Sequence, residues 1–162
     1  TNESLEWDGI EACIENVVQK YQFPNVQLGL EITEQDALSS SIDITKKIEA
    51  LKAKGHRFLI DDFGMGHTSL VYLQTKYFNI VKLDGSLTRD VIHNETNRDI
   101  IASIVYLGRS LKFKIIAEYV ENEAQRDELK KLGCDAFQGY LYSKPIKLDE
   151  LMSWIKGSGH ES

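Results

Sequence analysis

The sequence predicts an α/β fold in which parallel β-strands alternate with α-helices. Short apolar runs bounded by turn residues recur along the chain, as in buried strands, and stretches with apolar residues at helical spacing separate them. Acidic or amide side chains follow these runs, at the point where each predicted strand ends. Because strands joined by helices pair in parallel, we expect one domain of about five βα units.

The first third of the chain contains a helix, a strand and a second helix. A helix is predicted over 8–22, where apolar residues recur every three or four positions, and Pro24 ends it. The run VQLGLEITE predicts a strand at 26–34. The next helix is predicted over 42–54, where apolar residues share one face and Gly55 provides a stop.

The middle third contains two strands and two helices. An apolar run followed by a pair of aspartates predicts a strand at 57–64. Residues 68–77 are predicted to be helical, and NIVKLDGS predicts a strand at 79–86. A long helical pattern covers 88–111, and we expect a break near the residues HNETN at 93–97.

The last third repeats the alternation. KIIAEYVE predicts a strand at 114–121, and an amphipathic helix over 121–133 ends on a glycine. CDAFQGYLY predicts a fifth strand or its exit at 134–142, followed by a helix over 147–156. Residues 157–162 are expected to form a flexible tail.

The composition is that of a globular protein without a nucleic-acid or membrane signature. The chain has 162 residues, of which 42% are hydrophobic, and a net charge of -6. Proteins that bind nucleic-acid polymers carry clustered basic residues, and a membrane span needs about 18 consecutive apolar residues. The distant cysteines Cys13 and Cys134 are typical of a reducing compartment. We therefore expect a cytoplasmic segment without membrane contact, excised from a longer protein because it does not begin with Met.

Polar side chains mark the carboxyl ends of the predicted strands. They are Glu31, Asp61 with Asp62, Lys82 with Asp84, Glu118, and Gln138. In parallel α/β folds these strand ends meet at one rim, which is where ligands bind. Because side chains alternate along a strand, Lys82 and Asp84 are expected to point into the same space.

The carboxylates at this rim predict a site for divalent cations such as Mg²⁺ or Mn²⁺, which prefer oxygen ligands. Two ions would suit attack by an activated water on a phosphodiester. Lys82 would then balance charge, orient the water or stabilise the phosphate oxygens. For any one acidic residue the alternative is a helix N-cap or a solvated loop, and for Lys82 with Asp84 it is a buried ion pair. A doubly wound sheet and a (β/α)8 barrel, which typically has about 250 residues, both remain open from these patterns.

Five motifs occur in a characteristic order and spacing. They are LEITE (30–34), IDDFGMGHTSL (60–70), VKLDGSL (81–87), AEYVE (117–121) and QGYLYSKP (138–145). Together they resemble the EAL-domain family of cyclic di-GMP phosphodiesterases, over about residues 8–156. The resemblance implies a modified (β/α)8, TIM-barrel-like fold. It also implies metal-dependent hydrolysis of cyclic di-GMP to linear pGpG, in bacterial second-messenger signalling.

The resemblance implies a two-metal site built from carboxylates. Glu31 is expected to be a metal ligand. Asp61 is expected to bridge two Mg²⁺ or Mn²⁺ ions, with Asp62 as a ligand of the second ion. Glu118 is expected to be a further ligand or to orient the water.

The resemblance also implies roles for residues around the metals. Lys82 is expected to contact the attacking water, with Asp84 beside it in the site. Glu34 is expected to stabilise the loop after the Asp-Asp strand, a loop that takes part in dimerisation. Glu121 and Gln138 match positions that bind substrate or support the site.

The sequence departs from the family pattern at several positions. Tyr119 stands where the family has Gly, Gly85 replaces a commoner Arg, and His67 replaces a usual Tyr. The strand with the EAL motif and the next strand with an Asn ligand are expected before the first matching motif, so the sequence starts after both. We therefore expect an incomplete barrel over 1–156, with the first strands missing.

The incomplete barrel has two functional consequences. The fragment alone is expected to be inactive, and a homodimer, rearranged or swapped, is expected to cover the exposed strand edge. The alternative to an enzyme is a catalytically inactive EAL-like receptor for cyclic di-GMP or a protein-interaction module, and Tyr119 is the feature that favours it.

Overall fold

A computed structural model describes residues 9–21, 29–33, 42–64, 77–147 and 150–151. The strands are β1 (Gly29–Thr33), β2 (Arg57–Phe63), β3 (Ile80–Leu83), β4 (Lys114–Ala117) and β5 (Ala136–Phe137). The helices are α1 (Ile10–Tyr21), α2 (Ile42–Ala53), α3 (Gly85–Thr88), α4 (Glu95–Leu111) and α5 (Glu123–Leu132). The predicted alternation of strands and helices is confirmed for these residues.

The described strands form one parallel sheet of five, in the order β1-β2-β3-β4-β5. Glu31 is paired with Leu59, Lys82 with Ile116, and Ala117 with Phe137. A doubly wound sheet reverses its strand order at a switch point, whereas a barrel adds each strand beside the previous one. The strand order therefore identifies the sheet as part of a barrel rather than a doubly wound sheet. It also brings the carboxyl ends of the strands to one rim.

The core lies between this sheet and the helices that follow its strands. Fully buried side chains come from both layers: Leu51, Phe58, Ile60, Val81, Leu83, Ile101, Ile115 and Leu129. Burying one such side chain contributes about 1.5–3 kcal/mol, so this layer supplies the main stabilisation of the sheet. The rim residues are thus held on a packed scaffold.

The turn signals in the sequence mark the ends of the described helices. Gly55 and Gly133 adopt positive φ angles of 92° and 102° just after helices α2 and α5. Asn94 caps helix α4 by accepting a hydrogen bond from the Asn97 N–H at 3.1 Å. The expected break near HNETN is confirmed, because it separates α3 from α4.

The last three strands are shorter than predicted. β3 ends at Leu83, because Asp84 turns out of the strand as the N-cap of α3. β4 ends at Ala117, two residues before Tyr119 takes a left-handed conformation with φ 55°. The predicted helix at 68–77, most of that at 147–156 and the tail at 157–162 lie outside the described residues.

Across the portion of the chain that the structure describes, no helix is both long enough and apolar enough to cross a bilayer.

Candidate active site

A shift in strand pairing brings Asp61 and Asp62 together. Ile60 pairs with Val81 and Phe63 with Leu83, so β2 has one more residue than β3 between these pairs, and Asp62 adopts φ 55°. A regular strand would send adjacent side chains to opposite faces, whereas a bulge re-aims one of them. Carboxylate oxygens of Asp61, Asp62 and Glu118 consequently all lie within 4.8 Å of one another.

Lys82 projects from β3 into the centre of this group. Its side chain is 4% exposed, and Nζ lies 2.8 Å from Glu118 Oε1, 2.9 Å from Asp61 Oδ1 and 3.1 Å from Glu31 Oε1. Burial alone would lower the pKa of Lys82, but its ion pairs with the three carboxylates outweigh this effect and raise that pKa. Lys82 is therefore an ammonium ion at neutral pH.

The acidic groups outnumber this single ammonium. Burial raises the pKa of Glu118, and the charges of Asp61 and Glu31 add to the rise, against the opposing effect of Lys82. Burial also raises the pKa of Asp62, with further contributions from Asp61 and Asp84. Crowded carboxylates of this kind resist ionisation unless more positive charge is supplied.

The residues present fit a divalent cation. Asp61 Oδ1 is buried and lies within ion-pair distance of Lys82, yet among the described residues it has no hydrogen-bond partner of acceptable geometry. The three carboxylates of Asp61, Asp62 and Glu118 offer hard oxygen ligands around one point. Glu31, with its side chain 47% exposed, faces the same ammonium from β1. An oxygen without a hydrogen bond in a ring of carboxylates is the arrangement that a cation would complete.

Asp84 lies beyond the end of β3, with its carboxylate used as a cap. Asp84 Oδ1 accepts a hydrogen bond from the Ser86 N–H at 2.7 Å. Burial would raise the pKa of Asp84, but this hydrogen bond, the Gly85 N–H and the charge of Arg89 together lower it. The predicted alternative of a Lys82–Asp84 ion pair is not what forms: Lys82 pairs with Glu31, Asp61 and Glu118 instead. The N-cap alternative, by contrast, describes Asp84 correctly.

A buried polar network holds the loop that carries Glu118, and sequence reasoning missed it. Thr88 Oγ1 donates a hydrogen bond to the Glu118 carbonyl at 2.6 Å. Gln125 Nε2 donates to the Thr88 and Tyr119 carbonyls at 2.9 and 3.1 Å, and Gln125 Oε1 accepts from the Glu121 N–H at 2.9 Å. The network ties the end of α3, the loop after β4 and the start of α5 together.

One sequence signal could have identified Gln125. Asn122 is the N-cap of α5 and accepts a hydrogen bond from the Gln125 N–H at 2.9 Å. Asn-x-x-Gln resembles a capping box, in which the third helical residue bonds back toward the preceding chain. Here the Gln125 side chain reaches one residue further back, to Glu121.

A cavity of about 410 Å³ adjoins the carboxylate group. It is lined by Arg89, Glu118, Tyr119, Glu121, Gln138, Gly139 and Tyr140. Three of these, Glu118, Glu121 and Gln138, are residues that the sequence analysis expected in or around the site. The loop after β5 approaches closely here, since a Cβ atom at Gly139 would collide with the Val120 carbonyl oxygen.

The remaining predicted residue is Glu34. It lies outside the described residues, and so does His67. The structure therefore brings Glu31, Asp61, Asp62, Lys82 and Glu118 into one group, places Asp84 at its margin, and puts Glu121 and Gln138 in the adjacent cavity.

Comparison with known proteins identifies the fold family. The family model of the EAL domain matches residues 1–145. The chain belongs to the EAL-domain family. The sequence resemblance to that family is thus confirmed. The five-stranded parallel sheet and its helices are part of the family's TIM-barrel-like fold.

The EAL chain is similar to proteins that act on cyclic di-GMP. It is 36% identical over 143 residues to the cyclic di-GMP phosphodiesterase PdeF of Escherichia coli, covering 88% of this chain and 19% of PdeF. The solved PaMucR phosphodiesterase in complex with c-di-GMP superposes with a TM-score of 0.80 and 33% identity, covering 93% of this chain and 61% of that one.

A manganese complex is among the solved structures that this chain resembles. The Klebsiella pneumoniae BlrP1 complex with manganese and cy-diGMP superposes with a TM-score of 0.78 and 27% identity, covering 88% of this chain and 36% of that one. The chain spans about a fifth of the length of PdeF. A solved structure that this chain resembles was therefore determined with a divalent metal ion and cy-diGMP.

Proposed function

We propose that this chain belongs to a metal-dependent phosphodiesterase that hydrolyses cyclic di-GMP to linear pGpG in bacterial second-messenger signalling. The observation that carries the proposal is the group of Asp61, Asp62 and Glu118 around the buried Lys82, next to a cavity of about 410 Å³. A cavity of this volume is within the range of small-ligand sites. In this proposal residues 1–156 belong to the EAL domain, residues 157–162 are a tail, and the domain works in the cytoplasm.

Asp61, Asp62 and Glu118, with Glu31 facing them, would hold the divalent cations, Mg²⁺ or Mn²⁺ in a two-metal arrangement. Such ions, when bound, lower the pKa of a coordinated water and polarise phosphoryl oxygens. Oxygen ligands are the ones that these ions prefer.

Lys82 would place a fixed positive charge where negative charge develops on the phosphate. The ammonium is already oriented by three carboxylates in a buried position, so little reorganisation accompanies the reaction. Glu118, which is held by Lys82 at the edge of the cavity, would be a further ligand of the cations or would orient the attacking water. Asp84 would act beside these groups through its charge on Asp62.

Glu121 and Gln138 would contact the nucleotide in the adjacent cavity. Both line it together with Arg89, whose positive charge suits a phosphate or a guanine edge. The proposal further assigns Glu34 to stabilising the loop after the two aspartates, and a homodimer to the working state.

The test is Asp61→Asn in the full-length protein that carries this chain. Asn keeps the shape but removes a charged ligand, so we expect hydrolysis of cyclic di-GMP with Mg²⁺ or Mn²⁺ to fall by about 100-fold or more. The control is Asp99→Asn, which removes an equal charge from an exposed position on α4. If the Asp61→Asn variant hydrolyses cyclic di-GMP as fast as the Asp99→Asn control, the role proposed for Asp61 is wrong.

A second candidate is a receptor that binds cyclic di-GMP without hydrolysing it. Tyr119, at φ 55° in the cavity wall where the resemblance leads one to expect Gly, is the observation that favours it. Saturable binding of cyclic di-GMP by the wild-type full-length protein, with no pGpG formed in the presence of Mn²⁺, would select the receptor.

A further inference from the structure

Tyr119 occupies a position that its surroundings define closely. Its backbone takes φ 55°, and the Gln125 side chain donates a hydrogen bond to its carbonyl at 3.1 Å. The Arg89 guanidinium lies over its ring, with Cζ 4.0 Å from the ring centroid. A Cβ atom at Gly85 would lie 2.5 Å from Tyr119 Cδ2, so the ring sits in the space that a side chain at position 85 would need.

A tyrosine at this position has an unfavourable backbone conformation, and a purely structural role does not explain it. A non-glycine residue at positive φ is held against a steric preference, and glycine would adopt the same backbone freely. The Tyr119 residue also remains 44% exposed, so the ring is only partly removed from water. A strained and exposed aromatic side chain beside a candidate site indicates a binding role.

The cavity beside Tyr119 has the groups that recognise a nucleobase. Tyr119, Tyr140 and the Arg89 guanidinium all line it, and Gln138 and Glu121 offer hydrogen-bonding groups in the same wall. Aromatic rings and guanidinium planes stack on bases, whereas amide and carboxylate groups bond their edges. Glu118 lines this cavity and also belongs to the carboxylate group, so a base bound here would lie next to those carboxylates.

We propose that Tyr119 is a stacking wall for one guanine of cyclic di-GMP, supported by Arg89 and made possible by Gly85. This inference rests on the proposed ligand of the site, and it assigns the choice of base to a residue of this chain. Gly85 and Tyr119 act as one unit, because any side chain at 85 displaces the ring.

The experiment measures cyclic di-GMP binding by isothermal titration calorimetry, on the full-length protein with Ca²⁺. Tyr119→Leu keeps an apolar side chain without a ring, and we expect the Kd to rise about 10- to 100-fold, the range given by loss of one stacked base. Tyr119→Phe is the matched control, since it keeps the ring, and its Kd should stay within about threefold of wild type.

Two further measurements separate stacking from a structural role. Gly85→Ala should also weaken binding, and adding Tyr119→Leu to it should cause little extra loss, because both changes remove the same wall. The preference for cyclic di-GMP over cyclic di-UMP should narrow in Tyr119→Leu, since a purine stacks more strongly than a pyrimidine. Thermal unfolding identifies any variant that has lost its fold.

The outcomes separate this inference from the proposed function. Wild-type protein that binds no cyclic di-GMP overturns both. Wild-type binding with an unchanged Kd in a folded Tyr119→Leu variant overturns the stacking wall alone. The stacking wall is also overturned if Tyr119→Leu and Tyr119→Phe lose the same affinity for cyclic di-GMP, or if the losses of Tyr119→Leu and Gly85→Ala add up in the double variant. It is supported if Tyr119→Phe keeps the wild-type affinity and the losses of Tyr119→Leu and Gly85→Ala are not additive.

Discussion

Lys82 controls the charge balance at the centre of the site. Its ammonium is buried and lies within 3.1 Å of carboxylates from β1, β2 and the end of β4. An ion pair among exposed groups contributes little, but removing one partner of a buried group leaves uncompensated charge. The negative charge of these carboxylates can be offset by the Lys82 ammonium or by added cations. Lys82 and such cations therefore contribute to the free energy of unfolding through the same carboxylates.

Replacing this ammonium by an apolar group of similar length tests that argument. In Lys82→Met we expect the free energy of unfolding to fall by about 3–5 kcal/mol with EDTA, because buried carboxylates lose their counter-ion. Mn²⁺ should restore more of it than it adds to wild type, since ions that bind the folded state stabilise it. Urea unfolding with EDTA and with Mn²⁺ measures both.

The control for Lys82→Met is a lysine at the opposite end of the strands. Lys114, 71% exposed and 2.6 Å from Asp135, forms a surface pair, so Lys114→Met should cost about 1 kcal/mol or less, regardless of Mn²⁺. If the two variants lose the same stability and respond equally to Mn²⁺, the central role of Lys82 is wrong.

Individual site residues were predictable where strand alternation alone decides their direction. Glu31 and Lys82 lie in strands whose side chains alternate, so their common location followed from the pattern. Asp62 and Tyr119 take left-handed conformations, and Asp84 turns out of its strand into a cap. These positions depend on where pairing stops, which is decided by neighbouring elements rather than by local sequence.

Among the elements, the loop after β4 depends on the buried side chain of Gln125. That side chain satisfies the carbonyls of Thr88 and Tyr119 and the N–H of Glu121 at once. The Thr88 carbonyl also accepts a longer hydrogen bond from the Val91 N–H at 3.4 Å, so the Tyr119 carbonyl and the Glu121 N–H depend on Gln125 most. Leaving a buried polar group without its partner costs about 1–3 kcal/mol. Gln125 thus acts on the site through the backbone that positions Glu118.

Gln125→Met tests this element, because it keeps volume and flexibility but removes all three hydrogen bonds. We expect the free energy of unfolding to fall by about 2–4 kcal/mol and cyclic di-GMP hydrolysis to fall as well, since the Glu118 loop loosens. Urea unfolding and turnover by the full-length protein measure the two effects. Gln19→Met, on the exposed side of α1, should change stability by about 0.5 kcal/mol or less. A Gln125→Met variant as stable as the Gln19 control would show that the loop is held by other contacts.

The helices were predictable where capping residues in the sequence mark their ends. Asn94, Gly55 and Gly133 end or begin helices where the sequence indicates, because their side chains or backbone freedom act locally. β5 contains only Ala136–Phe137, because the chain beyond it packs as a loop against Val120 through Gly139. That close approach is a tertiary contact, which no local pattern reports.

For the whole molecule, the strand order places the site on one rim of an open arc. In the described part of the chain β1 and β5 are the outer strands of the sheet. A complete (β/α)8 barrel has eight strands and no edges. The solved PaMucR phosphodiesterase is longer, since this chain covers 61% of it. The proposed ligands that the structure describes therefore come from one side of the rim that a closed barrel would have.

At this scale we expect the 162-residue chain by itself to hydrolyse cyclic di-GMP at least about 100-fold more slowly than the full-length protein that carries it. The letters Glu-Ala-Leu occur at 49–51, but they lie on helix α2, with Leu51 in the core, and cannot supply a ligand from a strand end. Two-metal chemistry needs ligands on both sides of the ions, and an open sheet with free edges also favours association of chains.

Turnover of cyclic di-GMP with Mn²⁺ measures the loss of hydrolysis, and sedimentation of both proteins measures the association of chains. Equal turnover by a monomeric 162-residue chain would mean that one side of the rim is sufficient for catalysis.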